Sequence, residues 1–179
     1  MIAPILYLIG GILTLLSVLP VISDMLPLLS GSESGVTGKI TFWGESVSAG
    51  GVTLTTHNVK SWTVLGLPPI LMFLIFAILG LVAIVIGVDA FYKFLPDDLV
   101  GMPLAALVGL IVGIVELVVE LLMYFGDSKG LTSGSANNFG FSPAVTGWSL
   151  GLGFILLLLS AILIIVGGIL AFVFKPSSA

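Results

Sequence analysis

Two acids stand inside an otherwise apolar run at residues 99–125. They are Glu116 and Glu120. Four residues apart on a helix, they share one face. Followed backwards, that face carries Gly113, Gly109 and Ala105, small residues at the spacing that lets helices approach closely. The face is therefore expected to turn towards other helices and away from lipid. A carboxylate in hydrocarbon is costly, and it escapes by taking a proton, by pairing or by touching water. No Lys, Arg or His lies in any of the long apolar runs to pair with it. Two readings follow. Either Glu116 and Glu120 form an intramembrane proton or cation site, or both are protonated and hydrogen-bonded to Ser17, Thr14, Ser160 or backbone carbonyls of neighbouring helices.

Little other chemistry is offered. The single His57 sits beside Asn58 and cannot alone build a bis-His haem or a His-rich metal site. Its plain reading is a solvated or hairpin-packed imidazole. The absence of Cys excludes disulfides, thiolate catalysis, iron–sulfur clusters and Cys-ligated zinc. Serines are plentiful, but no nucleophile elbow and no phosphate-cradling Gly-rich loop with Lys is present. The sequence thus predicts no catalytic residue, no cofactor, no metal and no enzyme. Five Lys, no Arg and a formal net charge of -4 supply no basic cluster for nucleic acid.

The elements that position the two acids are four apolar runs, at about residues 4–22, 64–88, 99–125 and 148–174. Hydrophobic residues make up 58% of the chain and charged ones 8%, against about a quarter in a soluble domain. Each run is near the roughly 20 helical residues that cross about 30 Å of hydrocarbon. The backbone must satisfy itself there, so the runs are expected to be helices. The expected fold class is an all-α membrane protein, a four-transmembrane-helix bundle forming one membrane domain over 1–179. The first run lacks the flanks of a cleaved signal and is expected to be retained.

Two long polar connections, at about 24–63 and 126–147, fall on one side of such a bundle. The short turn Phe94-Leu95-Pro96-Asp97-Asp98 falls on the other. Within the first connection apolar and polar residues alternate on either side of Ala49-Gly50-Gly51, predicting a small extracellular β-hairpin of 40–47 with 52–59. Trp62 and Trp148 on the loop side, and Tyr92, Phe94, Phe172 and Phe174 on the other, fit aromatic belts at the two interfaces. Asp24 and Asp89 read as interface residues. Pro20 and Pro68-Pro69 are expected to bend the outer turns of the first two spans. Lysine counts do not choose an orientation. The Ser/Thr/Gly-rich connections look like translocated segments, which places both termini in the cytoplasm of a cell-membrane protein. The chain also reads as a parallel 2+2 repeat, 1–95 against 100–175: Pro4 and Gly10 answer to Pro103 and Gly109, and Trp62 answers to Trp148.

Phe42-Trp43-Gly44, in a long first outer loop with strands and followed by a shorter second outer loop, resembles the claudin-like four-span proteins. Claudins carry Gly-Leu-Trp and two spaced Cys in that loop, whereas here Phe precedes the Trp and both Cys are missing. The resemblance implies lateral association and adhesion through the outer hairpin, and no functional residue is carried over from it. Phe42, Trp43 and His57 are candidate outer-loop contacts of this chain. Gly109–Gly113, Gly147–Gly151 and Gly167–Ala171 are candidate packing contacts within the chain or between chains. The expected function is a non-enzymatic structural or accessory subunit in the bilayer, packed against other membrane subunits or against itself as an oligomer. Proton or cation conduction and claudin-like adhesion are the alternatives.

Overall fold

The computed structural model describes residues 2–19, 25–33, 35–41, 43, 45–56, 69–92, 102–132 and 148–173. Four helices and five strands lie among them: α1 (Ile2–Val18), β1 (Leu29–Glu33), β2 (Val36–Ile40), β3 (Glu45–Ala49), β4 (Val52–Thr56), α2 (Pro69–Tyr92), α3 (Met102–Thr132), β5 (Trp148–Leu150) and α4 (Leu152–Val173). Three of the helices hold stretches long and apolar enough to cross a membrane, Ile70–Tyr92, Leu104–Met123 and Leu152–Val173. The first is shorter, at 17 residues.

Prolines set two helix ends where bends were expected. A residue before proline is pushed out of the α region, and α1 stops at Val18, two residues before Pro20. Proline is tolerated in the first helical turn because its missing N–H is not needed there, and α2 opens on Pro69.

The described chain forms two compact units. The first comprises residues 1–16, 75–118 and 156–179. In it the α1 segment touches all three other helical segments. Gly11 meets Gly80 on α2, Gly10 meets Ser160 and Ile164 on α4, and Tyr7 lies against Gly109 on α3. Gly87 lies at Pro4 and Leu8, and Gly167 at Ala3 and Tyr7, so α1 runs antiparallel to α2 and α4; Tyr7 at Gly109 and Thr14 at Glu116 make it parallel to α3. Tyr7, Ala83, Ile86, Val112 and Ile164 form the buried apolar cluster.

The exposure pattern is inverted from that of a water-soluble protein. Ile155, Leu159, Ile162, Val166 and Ile169 form an exposed apolar stripe on α4, and Ile70, Leu74, Ile78, Leu81 and Val85 form one on α2. Meanwhile Thr14, Ser17, Ser160, Glu116 and Glu120 are fully buried. Water would favour the reverse, because apolar area is driven out of it. Hydrocarbon favours what is seen.

The second unit, residues 17–74 and 119–155, holds an antiparallel five-stranded sheet in the order β4-β3-β2-β1-β5. The expected single hairpin is therefore part of something larger. Its turn is where the sequence placed it: Ala49 pairs with Val52, and Gly50 and Gly51 carry φ of 57° and 84°. Two successive positive φ values make the turn that matches strand twist, and Gly adopts them without Cβ strain. Its first strand is corrected. Residues 40–47 are not continuous, since β2 ends at Ile40 and β3 begins at Glu45. Replacing both Gly50 and Gly51 with valine should cost about 1–2 kcal/mol per residue in left-handed strain, read as a lowered unfolding midpoint, whereas Gly50→Asn should be near neutral.

A second hairpin, β1 with β2, turns at Gly35, whose φ is 81°. The fifth strand comes from a stretch expected to begin the last span. Trp148, Ser149 and Leu150 pair with Gly31, Ser30 and Leu29. Here α4 starts only at Leu152, so the predicted span of 148–174 loses its first turn to the sheet.

Pleating places alternate residues on one face. Two cross-strand rows result, Ser149–Ser30–Lys39–Ser46 and Ser32–Thr37–Ser48–Thr53. Every member but Lys39 carries a hydroxyl. Ser48 and Thr53 are hydrogen-bonded at 2.7 Å, and Ser149 Oγ donates to Ser30 O at 2.9 Å. The other face carries Val36, Ala49, Val52 and Leu150, with Gly31 and Gly38.

Candidate functional site

Glu116 is the centre of a polar cluster in the first unit. The helical period of α3 puts Glu116 on the same side as Gly109 and Gly113. Those glycines admit their neighbours closely. A Cβ at Gly109 would collide with the Tyr7 ring, and one at Gly113 would lie 2.7 Å from Ile165 Cγ1. At Glu116 the side is met by hydroxyls of two other helices.

Glu116 Oε1 accepts hydrogen bonds from Thr14 Oγ1 of α1 at 2.7 Å and from Ser160 Oγ of α4 at 3.1 Å. The two hydroxyl oxygens are themselves 2.5 Å apart. Both also reach the Gly10 carbonyl, Ser160 at 2.7 Å and Thr14 at 3.1 Å. Thr14 to Gly10 is the ordinary bond of a helical threonine to the carbonyl four residues back. Ser160 to Gly10 crosses between helices, and it is permitted because Gly10 has no side chain between the backbones: a Cβ there would lie 3.1 Å from Ser160 O. Glu116 Oε2 has no hydrogen-bond partner among the described residues, and neither has the buried Tyr7 hydroxyl.

Of the acid's expected companions, the structure brings Thr14 and Ser160 to Glu116. Ser17 and Glu120 are both fully buried and belong to the second unit. The Gly10 carbonyl was not named by sequence, because a backbone acceptor carries no residue-type signal. Its only hint was the Gly10–Thr14 spacing on the first run.

The remaining candidates separate. Ala105 packs against the buried cluster, Gly167 lies against Ala3 and Tyr7, and Ala171 is half-buried. Gly151, expected as a helix-packing residue, precedes α4. Its N–H donates to Leu28 O at 2.8 Å, and that of Gly153 donates to Pro27 O at 3.0 Å. These bonds satisfy amides at the start of α4 that lack helical partners. A Cβ at Gly151 would strike the Pro27 carbonyl. Gly147, Phe42 and His57 lie outside the described residues.

Trp43 is half-buried in the second unit. Its Nε1–H donates to Val18 O at 2.8 Å. That carbonyl is among the last of α1 and has no helical N–H left to accept from. The indole also packs on Phe73 near the start of α2, centroids 5.4 Å apart and tilted by 53°. Trp43 thereby ties the turn between β2 and β3 to the ends of two helices. No group of three or more His, Cys, Asp or Glu converges among the described residues.

Three helices long and apolar enough to cross a membrane, with acids and hydroxyls turned inward and aliphatic side chains outward, define the class: a multi-pass membrane protein. No protein-family model matches the chain, and no curated protein matches its sequence.

Proposed function

We propose that the protein is a non-enzymatic structural or accessory subunit of a cell membrane. It crosses the bilayer four times, with α1 as the short fourth span, and presents its sheet to a partner subunit or to a neighbouring copy. The observation that carries this reading is the sheet. The first long connection and the start of the last apolar run contribute to it, since β5 pairs with β1, and the turn before β3 is fastened to helix ends through Trp43. Chain so ordered serves presentation better than a plain linker would.

The two hydroxyl-bearing rows suit a polar, hydrogen-bonding partner, because each hydroxyl both donates and accepts. Claudin-like adhesion and lateral assembly is the second reading, favoured by the tie between Trp43 of the Phe42-Trp43-Gly44 motif and the helix ends. In both readings the termini are cytoplasmic and the sheet is extracellular.

The test is cross-linking in native membranes followed by purification in mild detergent and mass spectrometry of what co-purifies. The expected result is a discrete cross-linked complex. Ser46→Glu with Thr53→Glu should reduce it at least tenfold without lowering the unfolding midpoint of the purified chain. A wild-type chain that is monomeric before and after cross-linking would remove both readings.

A further inference from the structure

The cluster around Glu116 is unusually tight. Its four oxygens are Glu116 Oε1, Thr14 Oγ1, Ser160 Oγ and Gly10 O. Three approaches are short: Oε1 to Thr14 at 2.7 Å, Thr14 to Ser160 at 2.5 Å, and Ser160 to Gly10 at 2.7 Å. The other two are 3.1 Å. Oxygens coordinating one ion stand farther apart. Around octahedral Mg²⁺ adjacent ligands are about 2.9 Å apart, and around Ca²⁺ they are farther still. Spacings of 2.5–2.7 Å are those of O–H···O hydrogen bonds. The cluster as packed has the geometry for protons and not for a metal ion.

The protons can be counted. Each hydroxyl has one, and Gly10 O has none to give. With an ionised Glu116, two protons serve three short approaches. Thr14 then donates to Oε1, Ser160 donates to Gly10, and two hydroxyl oxygens face each other with no proton between them. With a proton on Oε1, Glu116 donates to Thr14 in place of accepting from it, and all three short approaches are filled in one direction: Glu116 to Thr14, Thr14 to Ser160, Ser160 to Gly10, while the two 3.1 Å approaches carry no proton. No oxygen donates twice. The buried Oε2 fits the same state, since an unpartnered carbonyl oxygen costs far less than half of an unpaired charge. The helical stretches 2–18, 70–92, 104–123 and 152–173 contain no Lys, Arg or His to pair with a charge there.

We propose that Glu116, Thr14, Ser160 and the Gly10 carbonyl form an intramembrane proton-binding site, a one-way hydrogen-bond chain headed by the Glu116 carboxyl. The occupant is a proton taken from water, which converts the carboxylate to the acid and is held there. The site joins α1, α3 and α4. The titratable groups on the elements packed against it are Tyr7 on α1, none on α4, Asp89 and Tyr92 at the far end of α2, and on α3 itself Glu120 one turn away, with Tyr124, Asp127 and Lys129 further along. The assignment is independent of the presentation role of the sheet.

The test uses the full-length protein in liposomes at neutral pH. Infrared spectra should contain a protonated-carboxyl C=O band that Glu116→Gln removes and Glu120→Gln leaves. Glutamine can head the same chain through its amide N–H, so Glu116→Gln is expected to fold. Thr14→Val removes the first acceptor and should shift the Glu116 band to higher frequency. N,N′-dicyclohexylcarbodiimide, which adds to protonated carboxyls in apolar surroundings, should label Glu116 at least tenfold more in wild type than a hydrophilic carbodiimide of equal concentration does. A folded wild type without the Glu116 acid band would overturn the assignment. So would loss of that band on adding Na⁺ or Ca²⁺ at fixed pH, which would mark a cation site. If Glu116→Gln does not fold, the Thr14→Val shift alone decides: no shift of any acid band refutes the chain.

Discussion

Replacing Gly11 with leucine is expected to unseat α1 from α2 and to abolish recovery of folded protein in mild detergent. At Gly11 even a Cβ would lie 2.5 Å from the Gly80 carbonyl oxygen and 2.8 Å from Ile84 Cγ1. The first of these is backbone and cannot rotate away. The facing Gly80 is tight too, with 3.1 Å from its Cβ position to Gly11 O. The two helices touch backbone to backbone, and a side chain in that gap must push them apart. Overpacking in a settled core costs about 1–3 kcal/mol, occasionally more. Gly11→Ala should fall in that range and Gly11→Leu above it.

The sign is informative. Alanine at a helical glycine gains about 1 kcal/mol in propensity, so a loss at Gly11 reports the helix contact against that gain. Ile12→Ala, at a neighbouring outward position 47% exposed, supplies the comparison. The measurement is the unfolding midpoint in detergent by loss of the monodisperse elution peak. A Gly11→Ala midpoint raised above wild type by the full propensity gain would show that α1 and α2 do not meet at Gly11 and Gly80.

Trp43→Ala is the second large effect. It removes the ring from Phe73 and the indole N–H from Val18 O together. Loss of a packed tryptophan costs about 3–5 kcal/mol, and a half-buried one belongs at the lower end. Trp43→Phe keeps an aromatic ring and loses the hydrogen bond, worth about 1 kcal/mol. The two variants therefore separate packing from capping. Protease sensitivity should show where the damage lies. With alanine, cleavage between β2 and β3 should rise at least tenfold, while the segments around Glu116 stay protected. Protection of that turn unchanged in Trp43→Ala would mean that the indole does not fasten it.

The candidate site is partly legible in the order of residues alone. The spacing of Glu116 and Glu120 declares a shared helical face, and Gly113 and Gly109 declare it an inner one. Their chemistry forbids a lipid-facing placement, so burial follows from residue type. The hydroxyls that meet Glu116 belong to a short set, because Thr14, Ser17 and Ser160 are nearly all the polar side chains the apolar runs possess. Choosing Thr14 and Ser160 requires knowing that the α1 and α3 segments run parallel and which turns are level. That is a tertiary fact.

The sheet divides in the same way. Gly50-Gly51 between alternating residues announces its turn through local backbone chemistry. The β1 stretch, Leu-Ser-Gly-Ser-Glu, has the composition of a linker, and Trp148-Ser149-Leu150 blends into the apolar run behind it. Neither is a strand by its own preference. The β1 stretch becomes one against its hairpin neighbour β2, and Trp148–Leu150 becomes one because β1 supplies hydrogen-bond partners about 120 residues away in the chain, as Ser30 with Ser149. What the amino-acid order determined alone was solvent preference: which stretches seek hydrocarbon, where prolines and glycines permit a turn or an end, and which groups must hide from lipid. Those are properties of single residues and their near neighbours. Tertiary structure decided which buried oxygens meet and which polar stretches pair, because hydrogen bonds between distant segments depend on register and direction, and no local pattern encodes either.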